Sequence, residues 1–287
     1  MDGRINKIAY IILHYKAIDD TVRCVESIRK INKEAGIVLI DNASPDGSGS
    51  MLRDKYDHDP NIHLIINNEN LGFSRANNIG CLYARDNWNP DFYIVANNDI
   101  TFPEPNFEDT IGALFDKHHF AILGPDIINT RANVHQSPRQ KGVPTLFRSR
   151  ITVILNEICY GLFPITYPLL KHWYHDLREN PSNVPYWDKE QTGVLLSGSC
   201  VIFSKDYLTS REKPFDPETF FFSEEAIFTN WCIKNNKTIL YSPDIRVMHN
   251  ESASTYLEKD ARNRIKFQMR NIIDSTKIYI RELKKDR

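Results

Sequence analysis

Apolar runs that end abruptly in polar clusters recur through the first hundred residues. The clearest run, Ile94–Ala96, ends in Asn97-Asn98-Asp99. This pattern predicts a buried strand, and in open α/β sheets ligands bind beyond the carboxyl ends of such strands. A carboxylate flanked by amide oxygens suits a hard divalent cation that also holds phosphates. Taken alone, the same residues before Pro103 are equally typical of a simple turn.

Strand and helix patterns alternate over the first 125 residues, as in a largely parallel sheet with helices on both faces. Helical spacing of Val22, Val25 and Ile28, for example, predicts the first helix. The predicted elements are strand Ile8–Tyr15, helix Asp19–Ile31, strand Ile37–Ile40, strand Ile62–Ile66, helix Ser74–Arg85, strand Phe92–Ala96, helix Phe107–Lys117 and strand Ala121–Leu123.

The second half of the chain has a less regular pattern. Residues 130–190 are rich in aromatic residues and prolines without a clear period, so we expect loops and short helices that form a cap. Regular patterns then return. They predict strand Leu196–Phe203, helix Glu224–Asn235, strands Thr238–Tyr241 and Arg246–His249, and a long C-terminal helix from about Tyr256.

A polar cluster follows each of the first four predicted strands. Parallel strands bring these loops to one edge of the sheet, and converging polar loops are typical of a nucleotide pocket. The clusters are Tyr15-Lys16, the run from Asp41-Asn42 to Gly47-Ser48, the run from Asn70-Leu71-Gly72 through Arg75 to Asn77-Asn78, and Asn97-Asn98-Asp99.

The side chains in these clusters have the chemistry that a nucleotide requires. The carboxylate of Asp41 can accept the imide N–H of a pyrimidine base. Arg75 can pair with a diphosphate as a forked donor, and the helix that opens near Ser74 offers backbone N–H groups. Arg75 is also compatible with an ordinary surface arginine.

Composition describes an ordinary globular protein of 287 residues, with 41% hydrophobic and 25% charged residues and a net charge of −1. Five scattered cysteines without a C-x-x-C pair argue against a zinc ribbon or a disulfide framework. The N-terminus lacks the apolar region of a signal peptide, and Ile151–Trp173 is too interrupted for a spanning helix. We therefore expect a cytoplasmic protein.

The charge is distributed unevenly along the chain. From Glu258 onward, ten lysines and arginines face five acidic residues. Apolar residues at helical spacing in this segment, such as Ile265 and Met269, predict an amphipathic helix. Such a helix either packs on the rest of the protein or lies on the anionic inner face of the cell membrane.

Taken in order, the polar motifs resemble those of family 2 glycosyltransferases of the GT-A fold, and most of all the bacterial rhamnosyltransferase-like branch. The likeness covers about residues 5–275. It is carried by Asp41-Asn42-Ala43-Ser44, Asn70-Leu71-Gly72-Phe73, Asn77-Asn78-Ile79-Gly80, Asn97-Asn98-Asp99, Gly198-Ser199-Cys200, Phe220-Phe221-Phe222-Ser223-Glu224-Glu225, His249 and Arg270-Asn271.

The resemblance implies one GT-A catalytic domain over residues 1–255, followed by a C-terminal helix over 256–287. Its nucleotide-binding half would span about 1–125 and its acceptor half 126–255, around a mostly parallel central sheet flanked by helices. The implied activity is inverting transfer from dTDP-rhamnose or a UDP-hexose to a glycan hydroxyl in cell-surface polysaccharide synthesis. This branch commonly extends lipid-linked glycans.

The resemblance also implies roles for individual residues. Asp41 would bind the base, and Asp99 would hold Mg²⁺ or Mn²⁺ with His249 nearby. Glu225, or failing that Glu224, would accept the proton of the incoming hydroxyl. The remaining residues expected on the nucleotide side are Tyr15, Asn70, Arg75, Asn77 and Asn98.

Two positions depart from the family pattern. Asn97 stands where the metal motif commonly has an acidic residue, and Glu224-Glu225 replaces the usual Glu-Asp pair. Other functions compete with this interpretation. A dinucleotide oxidoreductase would need a glycine-rich turn after the first strand, which His14–Ile18 lacks. A catalytically silent sugar-nucleotide-binding protein or scaffold stays open.

Overall fold

The computed structural model describes residues 7–179, 183–251 and 261–285. The strands are β1 Ile8–His14, β2 Gly36–Asp41, β3 Ile62–Ile66, β4 Phe92–Asn97, β5 Ile100–Thr101, β6 Ile122–Asn129, β7 Val134–His135, β8 Gln140–Lys141, β9 Gln191–Thr192, β10 Val194–Leu195, β11 Cys200–Ser204 and β12 Ile239–His249. The helices are α1 Ile18–Ile31, α2 Ser48–Tyr56, α3 Gly72–Trp88, α4 Phe107–His118, α5 Leu146–Gly161, α6 Phe163–Glu179, α7 Lys205–Thr209, α8 Glu224–Lys234 and α9 Ala261–Lys284.

One mostly parallel sheet runs through both halves of the chain. Its strand order is β3-β2-β1-β4-β11-β6-β12-β5. Strands β1 to β4 are mutually parallel, β11 is antiparallel to both of its neighbours, and β6 and β12 are parallel to each other. The α/β architecture expected from the alternating pattern is confirmed.

Alternate side chains of the central strands enter two apolar layers on opposite faces of the sheet, because successive strand residues point to opposite sides. Tyr10 and Ile12 pack with α1 and α4 on one face. Ala9 and Ile11 pack on the other face with α3 and with Phe228 of α8. Burial on both faces explains why the strands read as continuous apolar runs.

The structure corrects the expectation for residues 130–190. Two helices, α5 and α6, occupy much of this segment, in place of the loops and short helices expected. Leucine and isoleucine positions on two faces of these helices obscure a simple amphipathic period. The short helix α2 was also missed, and the two strands expected over 238–249 form one strand, β12, with an irregularity between Ser242 and Arg246.

Helix α9 begins at Ala261 in the described part of the chain, and the expected start near Tyr256 lies outside it. Its apolar residues Ile265 and Met269 are buried against Phe163 of α6, and Tyr279 packs on α8. The stripe that the sequence offered for membrane contact is therefore used for packing within the protein.

Among the described residues, no single helix is long and apolar enough to cross a membrane. Helix α5 and the first part of α6, up to Trp173, meet that length and composition only as a pair, bent by 117° at Leu162.

Candidate active site

The strand register brings the predicted polar clusters to one edge of the sheet. His14 at the end of β1 pairs with Asp41 at the end of β2, and Leu13 pairs with Asn97 of β4. Asp41 in turn lies opposite Ile66, the last residue of β3. The loops that follow these strands therefore begin at one level and face the same side, as the parallel sheet predicts.

A cluster of buried and half-buried polar residues surrounds Asp41. One carboxylate oxygen of Asp41 accepts a hydrogen bond from the Ser44 backbone N–H at 3.2 Å, and the carboxylate lies 4.0 Å from Nε2 of His14. His14 also lies 2.6 Å from the Thr21 hydroxyl through Nδ1 and 2.8 Å from the Ser48 hydroxyl through Nε2. Burial lowers the pKa of His14 more than the nearby Asp41 raises it, so the imidazole is neutral at neutral pH.

The backbone leaves little room behind Asp41. A side chain at Gly49 would place its Cβ 2.2 Å from a carboxylate oxygen of Asp41. The glycine thus allows α2 to approach the carboxylate closely. The start of α2 therefore packs directly against the Asp41 carboxylate at the carboxyl end of β2.

Asn42 organises the loop that follows β3. Its side-chain N–H₂ donates to Asn70 Oδ1 at 3.0 Å, and its Oδ1 accepts from the Leu71 backbone N–H at 2.9 Å. Asn70 Oδ1 also accepts from the Gly72 N–H at 2.9 Å. The amide of Asn70, a predicted nucleotide residue, is thus engaged in shaping the loop at the start of α3.

Helix α3 is joined to the segment before α8. The Phe73 N–H donates to the Phe220 carbonyl at 2.7 Å, and a Cβ on Gly72, whose φ is +73°, would lie 2.5 Å from that carbonyl. Gly72 is required here because other residues disfavour this backbone angle and would clash. The contact links the nucleotide-side loop to the residues that lead into Glu224.

Two further predicted nucleotide residues lie along this junction. Arg75 is more than half exposed, and its Nε lies 3.6 Å from Glu218. Asn77 is fully buried and donates to the Phe73 carbonyl at 3.0 Å. The structure thus places Arg75 at the surface and Asn77 inside the helix packing, where its amide holds the first turn of α3.

Asn98 and the loop after β1 fix one another. The side chain of Asn98 is buried and donates to the Thr21 hydroxyl at 2.9 Å and to the Lys16 carbonyl at 3.4 Å. Lys16 and Ala17 have left-handed backbone angles, with φ of 60° and 51°. Tyr15 is half-buried in this loop, with the Lys16 ammonium over its ring.

Asp99 and His249 form a buried pair. His249 Nε2 lies 3.3 Å from Asp99 Oδ1, and His249 Nδ1 lies 2.8 Å from Gln136 Oε1. The Asn250 N–H donates to the Asp99 carbonyl at 3.0 Å, which aligns the end of β12 with the end of β4. Burial lowers the pKa of His249, but the Asp99 carboxylate, aided by Glu251, raises it more, so that it lies above its usual value.

The pair fits a divalent cation that a diphosphate also binds. Asp99 Oδ1 is buried and accepts no hydrogen bond from the described residues, and the imidazole Nε2 points toward it. Carboxylate and imidazole ligands suit Mn²⁺, and the carboxylate alone suits Mg²⁺. No cluster of three or more metal-ligating side chains occurs in the described ranges, so oxygen atoms of a bound substrate would complete such a site.

Glu224 and Glu225 lie in the first turn of α8 in different surroundings. Glu225 Oε1 accepts the Gly198 N–H at 3.0 Å and lies 3.6 Å from the guanidinium of Arg139. Glu224 Oε1 is buried without a hydrogen-bond partner among the described residues. Burial raises the pKa of Glu224 to about 8, and the charge of Glu225 contributes, so Glu224 is largely protonated at neutral pH.

The turn before α8 is strained. Phe222 and Ser223 are consecutive non-glycine residues with positive φ, at 71° and 67°. Such residues cost energy and persist where surrounding structure holds them, often at functional sites. The turn leads into Glu225, which contacts Gly198 of the loop before β11. In the same loop the Ser199 carbonyl accepts the Asn97 N–H at 3.0 Å.

Gly198 and Ser199 therefore connect the carboxylates to the Asp99 cluster. Gly198 touches Glu225, its neighbour Ser199 bonds Asn97, and Cys200 pairs with Ala96 in the sheet. A Cβ on Gly198 would lie 2.5 Å from Glu225 Oε1. Three of the motifs that carried the family resemblance, at 97–99, 198–200 and 224–225, thus lie next to one another in the structure.

Sequence reasoning missed several residues of this site. They are His14, Thr21, Gln136 and Arg139, and each contacts a predicted residue. His14, as a polar residue at the end of an apolar run, was detectable in principle. Gln136 and Arg139 lie in the irregular segment, where no sequence pattern marks them.

Comparison with known proteins gives the same assignment. Residues 10–169 match the family described as Glycosyl transferase family 2. The chain is 34% identical over 149 residues to the low-salt glycan biosynthesis hexosyltransferase Agl10 of Haloferax volcanii, covering 50% of this chain and 44% of that protein. It is 27% identical over 231 residues to an N-acetylglucosaminyl-diphospho-decaprenol L-rhamnosyltransferase of Mycobacterium tuberculosis, covering 78% of this chain and 69% of that protein.

A solved structure shares the fold. S. aureus TarS in complex with UDP-GlcNAc matches with a TM-score of 0.55 at 18% identity, over 88% of this chain and 61% of that one. The chain thus spans less than two thirds of the haloarchaeal relative and of the TarS chain. With more than half of the chain matched by the family, and with the sheet and loops arranged as described, the protein belongs to glycosyl transferase family 2 and has the GT-A fold.

Proposed function

We propose that the protein is an inverting glycosyltransferase that moves a sugar from a nucleoside-diphosphate donor to a hydroxyl of a glycan acceptor in cell-surface glycan synthesis. The observation that carries this proposal is the position of the Gly198-Ser199 loop. Gly198 contacts Glu225, a carboxylate that can accept a proton, and Ser199 contacts Asn97, which leads into the Asp99–His249 pair. One group can accept a proton, and the other can hold a diphosphate.

The proposed reaction is a single displacement. An acceptor hydroxyl attacks the anomeric carbon from the side opposite the diphosphate, the new C–O bond forms, and the bond to the leaving oxygen breaks with its electron pair. Glu225 accepts the hydroxyl proton. The Gly198 N–H that Glu225 accepts and the Arg139 guanidinium 3.6 Å away hold the carboxylate in place for this step. Glu224, buried and largely protonated, suits a supporting role beside it.

The leaving group sets the second requirement. Negative charge develops on the diphosphate, and Mg²⁺ or Mn²⁺ held by Asp99 and His249 would offset several kcal/mol of it when bound. The chain itself contributes the buried Asp99 carboxylate, and Gln136 orients the His249 ring toward that carboxylate. Asp41, held by Ser44 and backed by Gly49, is suited to accept the N3–H of uracil or thymine.

The comparisons support particular substrates. The TarS structure contains UDP-GlcNAc, and the mycobacterial relative is named for a decaprenol-linked acceptor and for rhamnose. For this chain we propose a UDP-hexose or dTDP-rhamnose donor and a lipid-linked glycan acceptor.

The test is nucleotide release and sugar transfer. UDP-sugars and dTDP-sugars are incubated with the protein, with and without Mn²⁺, and with a short-chain prenyl diphosphate sugar as acceptor. We expect slow release of UDP or dTDP without acceptor and faster release with it. Donor binding without release or transfer in any combination would instead indicate a silent sugar-nucleotide-binding protein.

A further inference from the structure

An exposed apolar face extends over α5 and α6. Nine of the fifteen large apolar side chains that are exposed in the described part of the chain lie here, within 27 consecutive residues. We call them the α5–α6 face. They are Phe147, Ile151, Ile154, Leu155, Ile158, Leu162, Ile165, Leu169 and Trp173.

Helical spacing places these side chains on one side of each helix. Ile151, Leu155 and Ile158 follow one another at intervals of four and three residues, and Ile165 and Leu169 continue the pattern in α6. The opposite sides of both helices pack on α9, through Cys159 of α5 and Phe163 of α6 for example. The hairpin therefore has one apolar side covered by the protein and a second apolar side in solvent, an arrangement typical of an interaction site.

The surroundings of this face are basic. Arg148, Arg150 and Lys171 are exposed on the hairpin, and Arg262 and Lys266 of α9 lie over the rings of Tyr167 and Tyr160. Residues 146–173 and 261–285 contain eleven lysines and arginines against three acidic residues, whereas the whole chain contains 36 against 37. Positive charge is thus concentrated on the hairpin and on the helix that packs against it.

We propose that the α5–α6 face seats the protein on an anionic lipid surface. Its apolar side chains would enter the headgroup boundary, and the surrounding lysines and arginines would meet acidic headgroups. A second copy of the chain is a poorer occupant, because pairing two such faces would bring two basic rims together. The two helices have the length and composition of a membrane span only as a sharply bent pair, which fits shallow attachment within one leaflet.

This placement differs from membrane contact through the C-terminal helix, which the sequence suggested. The apolar stripe of α9 is covered, and α9 instead supports the hairpin. The position also bears on the site. Phe267 of α9 contacts the rings of Phe220 and Phe221, and the Ser275 hydroxyl donates to the Phe221 carbonyl at 2.6 Å. Membrane seating would bring the turn before Glu224 close to lipid, as the proposed lipid-linked acceptor requires.

The inference deepens the proposed function, but its test uses no sugar substrate. The full chain is sedimented with phosphatidylglycerol-containing vesicles and with phosphatidylcholine vesicles, at low and high salt. We expect the protein to pellet with the anionic vesicles at low salt and to be released severalfold by high salt. Quenching of Trp173 by brominated lipid, compared with Trp173→Phe, reports whether the face itself meets the acyl chains.

Matched variants separate this face from nonspecific binding. Leu155→Gln/Ile158→Gln should lower the bound fraction severalfold, while Met51→Gln/Ile233→Gln, at similarly exposed positions elsewhere, should leave it unchanged. Arg148→Gln/Arg150→Gln/Lys171→Gln should weaken binding to anionic vesicles, and Lys33→Gln/Arg53→Gln/Lys55→Gln should have a smaller effect. Circular dichroism confirms that each variant is folded.

Two results would overturn the proposal. One is equal recovery of wild type and the Leu155→Gln/Ile158→Gln variant with anionic vesicles. The other is a lipid-free dimer by light scattering that this variant converts to a monomer, which would assign the face to a second copy. Vesicle binding is measured without donor or acceptor. If the wild-type protein binds vesicles but transfers no sugar, that result would therefore count against the proposed function alone.

Discussion

Two adjacent glutamates show how surroundings separate the roles of identical side chains. Glu225 has a backbone N–H at 3.0 Å and a guanidinium at 3.6 Å, whereas Glu224 has a buried oxygen without a hydrogen-bond partner among the described residues. Burial without a hydrogen-bond partner favours the neutral form of a carboxyl group, here Glu224. We therefore propose Glu225, which its motif position also favours, as the base.

Glutamine replacement tests this assignment. Glu225→Gln should lower kcat about 10²–10⁴-fold and leave donor affinity nearly intact, because the amide keeps the shape but cannot accept the proton. Glu224→Gln should have a much smaller effect, since the protonated acid and the amide are both neutral. Steady-state kinetics and donor titration measure the two quantities. A larger kcat loss in Glu224→Gln than in Glu225→Gln would reverse the assignment.

Glu224 should also make stability depend on pH. Its pKa is raised from 4.5 to about 8, so the native state binds its proton more tightly than the unfolded state does. The stability that this provides is complete below pH 4.5 and is lost as pH rises toward 8. Glu224→Gln should abolish this loss of stability, because the amide does not titrate. Between pH 5 and pH 8, its Tm should rise relative to wild type by at least about 2 °C, the shift expected for about 1 kcal/mol in a protein of this size.

Differential scanning calorimetry at several pH values provides this measurement. The exposed Glu69→Gln is the matched control, and its Tm difference from wild type should not show the same rise. A pH-independent difference for Glu224→Gln would show that the buried carboxyl is charged in the native protein.

Asp99 is the acidic ligand proposed for the cation. Asp99→Asn should remove the gain in UDP or dTDP affinity that Mn²⁺ provides, because an amide is a much weaker ligand than a carboxylate. Calorimetric titration with and without Mn²⁺ gives this gain directly, without any turnover. Asp109→Asn, on α4 away from the site, is the control. An unchanged Mn²⁺ gain in Asp99→Asn would remove Asp99 from the proposed metal site.

At the scale of elements, helix α9 connects the α5–α6 hairpin to the turn before α8. It packs on α5 and α6 through Ile265 and Met269, and it bonds the turn before α8 through Ser275. The Lys277 ammonium also lies 2.6 Å from Glu157 of α5. Because these contacts hold two surfaces at once, α9 couples the position of the α5–α6 hairpin to that of the glutamates.

Truncation of a buried α9 residue should reveal this role. Met269 is 1% exposed, so Met269→Ala should lower the free energy of unfolding by about 2–5 kcal/mol, the usual cost of a large-to-small core substitution. Ile280→Ala, at a half-buried position of the same helix, should cost less. Urea denaturation measures both. Equal small effects would indicate that the α9 stripe is available for another surface.

At the scale of the whole molecule, one continuous sheet joins the two halves of the site. Strand β11 lies between β4 and β6 and is antiparallel to both, so the chain places Gly198 at the same edge as Asn97. The Asp41 region proposed for the nucleobase, the Asp99–His249 pair and the two glutamates thus belong to one packed unit. Ligand binding at this edge should therefore stabilise the fold as a whole.

A nucleotide panel tests this expectation. With Mn²⁺, UDP or dTDP should raise the Tm more than GDP or ADP, and at about 100 times Kd the stabilisation should approach about 2.7 kcal/mol. Asp41→Asn should reduce the preference for pyrimidines, because the amide replaces one acceptor oxygen by a donor. Asp46→Asn in the same loop is the control. Equal shifts for purine and pyrimidine diphosphates would remove Asp41 from base recognition.

Local sequence patterns were sufficient to predict the strands in the first half of this protein and the polar residues at their ends. Runs such as Ile37–Ile40 and Ile94–Ala96 are buried on both faces of a parallel sheet, so their apolar character is continuous and their ends are marked by polar residues. Parallel pairing then forces the ends to one edge. For this reason Asp41 and Asp99 were recognisable before the structure.

Tertiary structure alone decided the other features. Gln136 and Arg139 reach the site from an irregular segment, and their contacts with His249 and Glu225 span more than 80 residues of chain. The difference between Glu224 and Glu225 depends on burial and on Gly198, which local sequence does not encode. The same holds for α5 and α9: both carry apolar stripes, and only their packing determines that the stripe of α9 is covered while one face of α5 remains exposed.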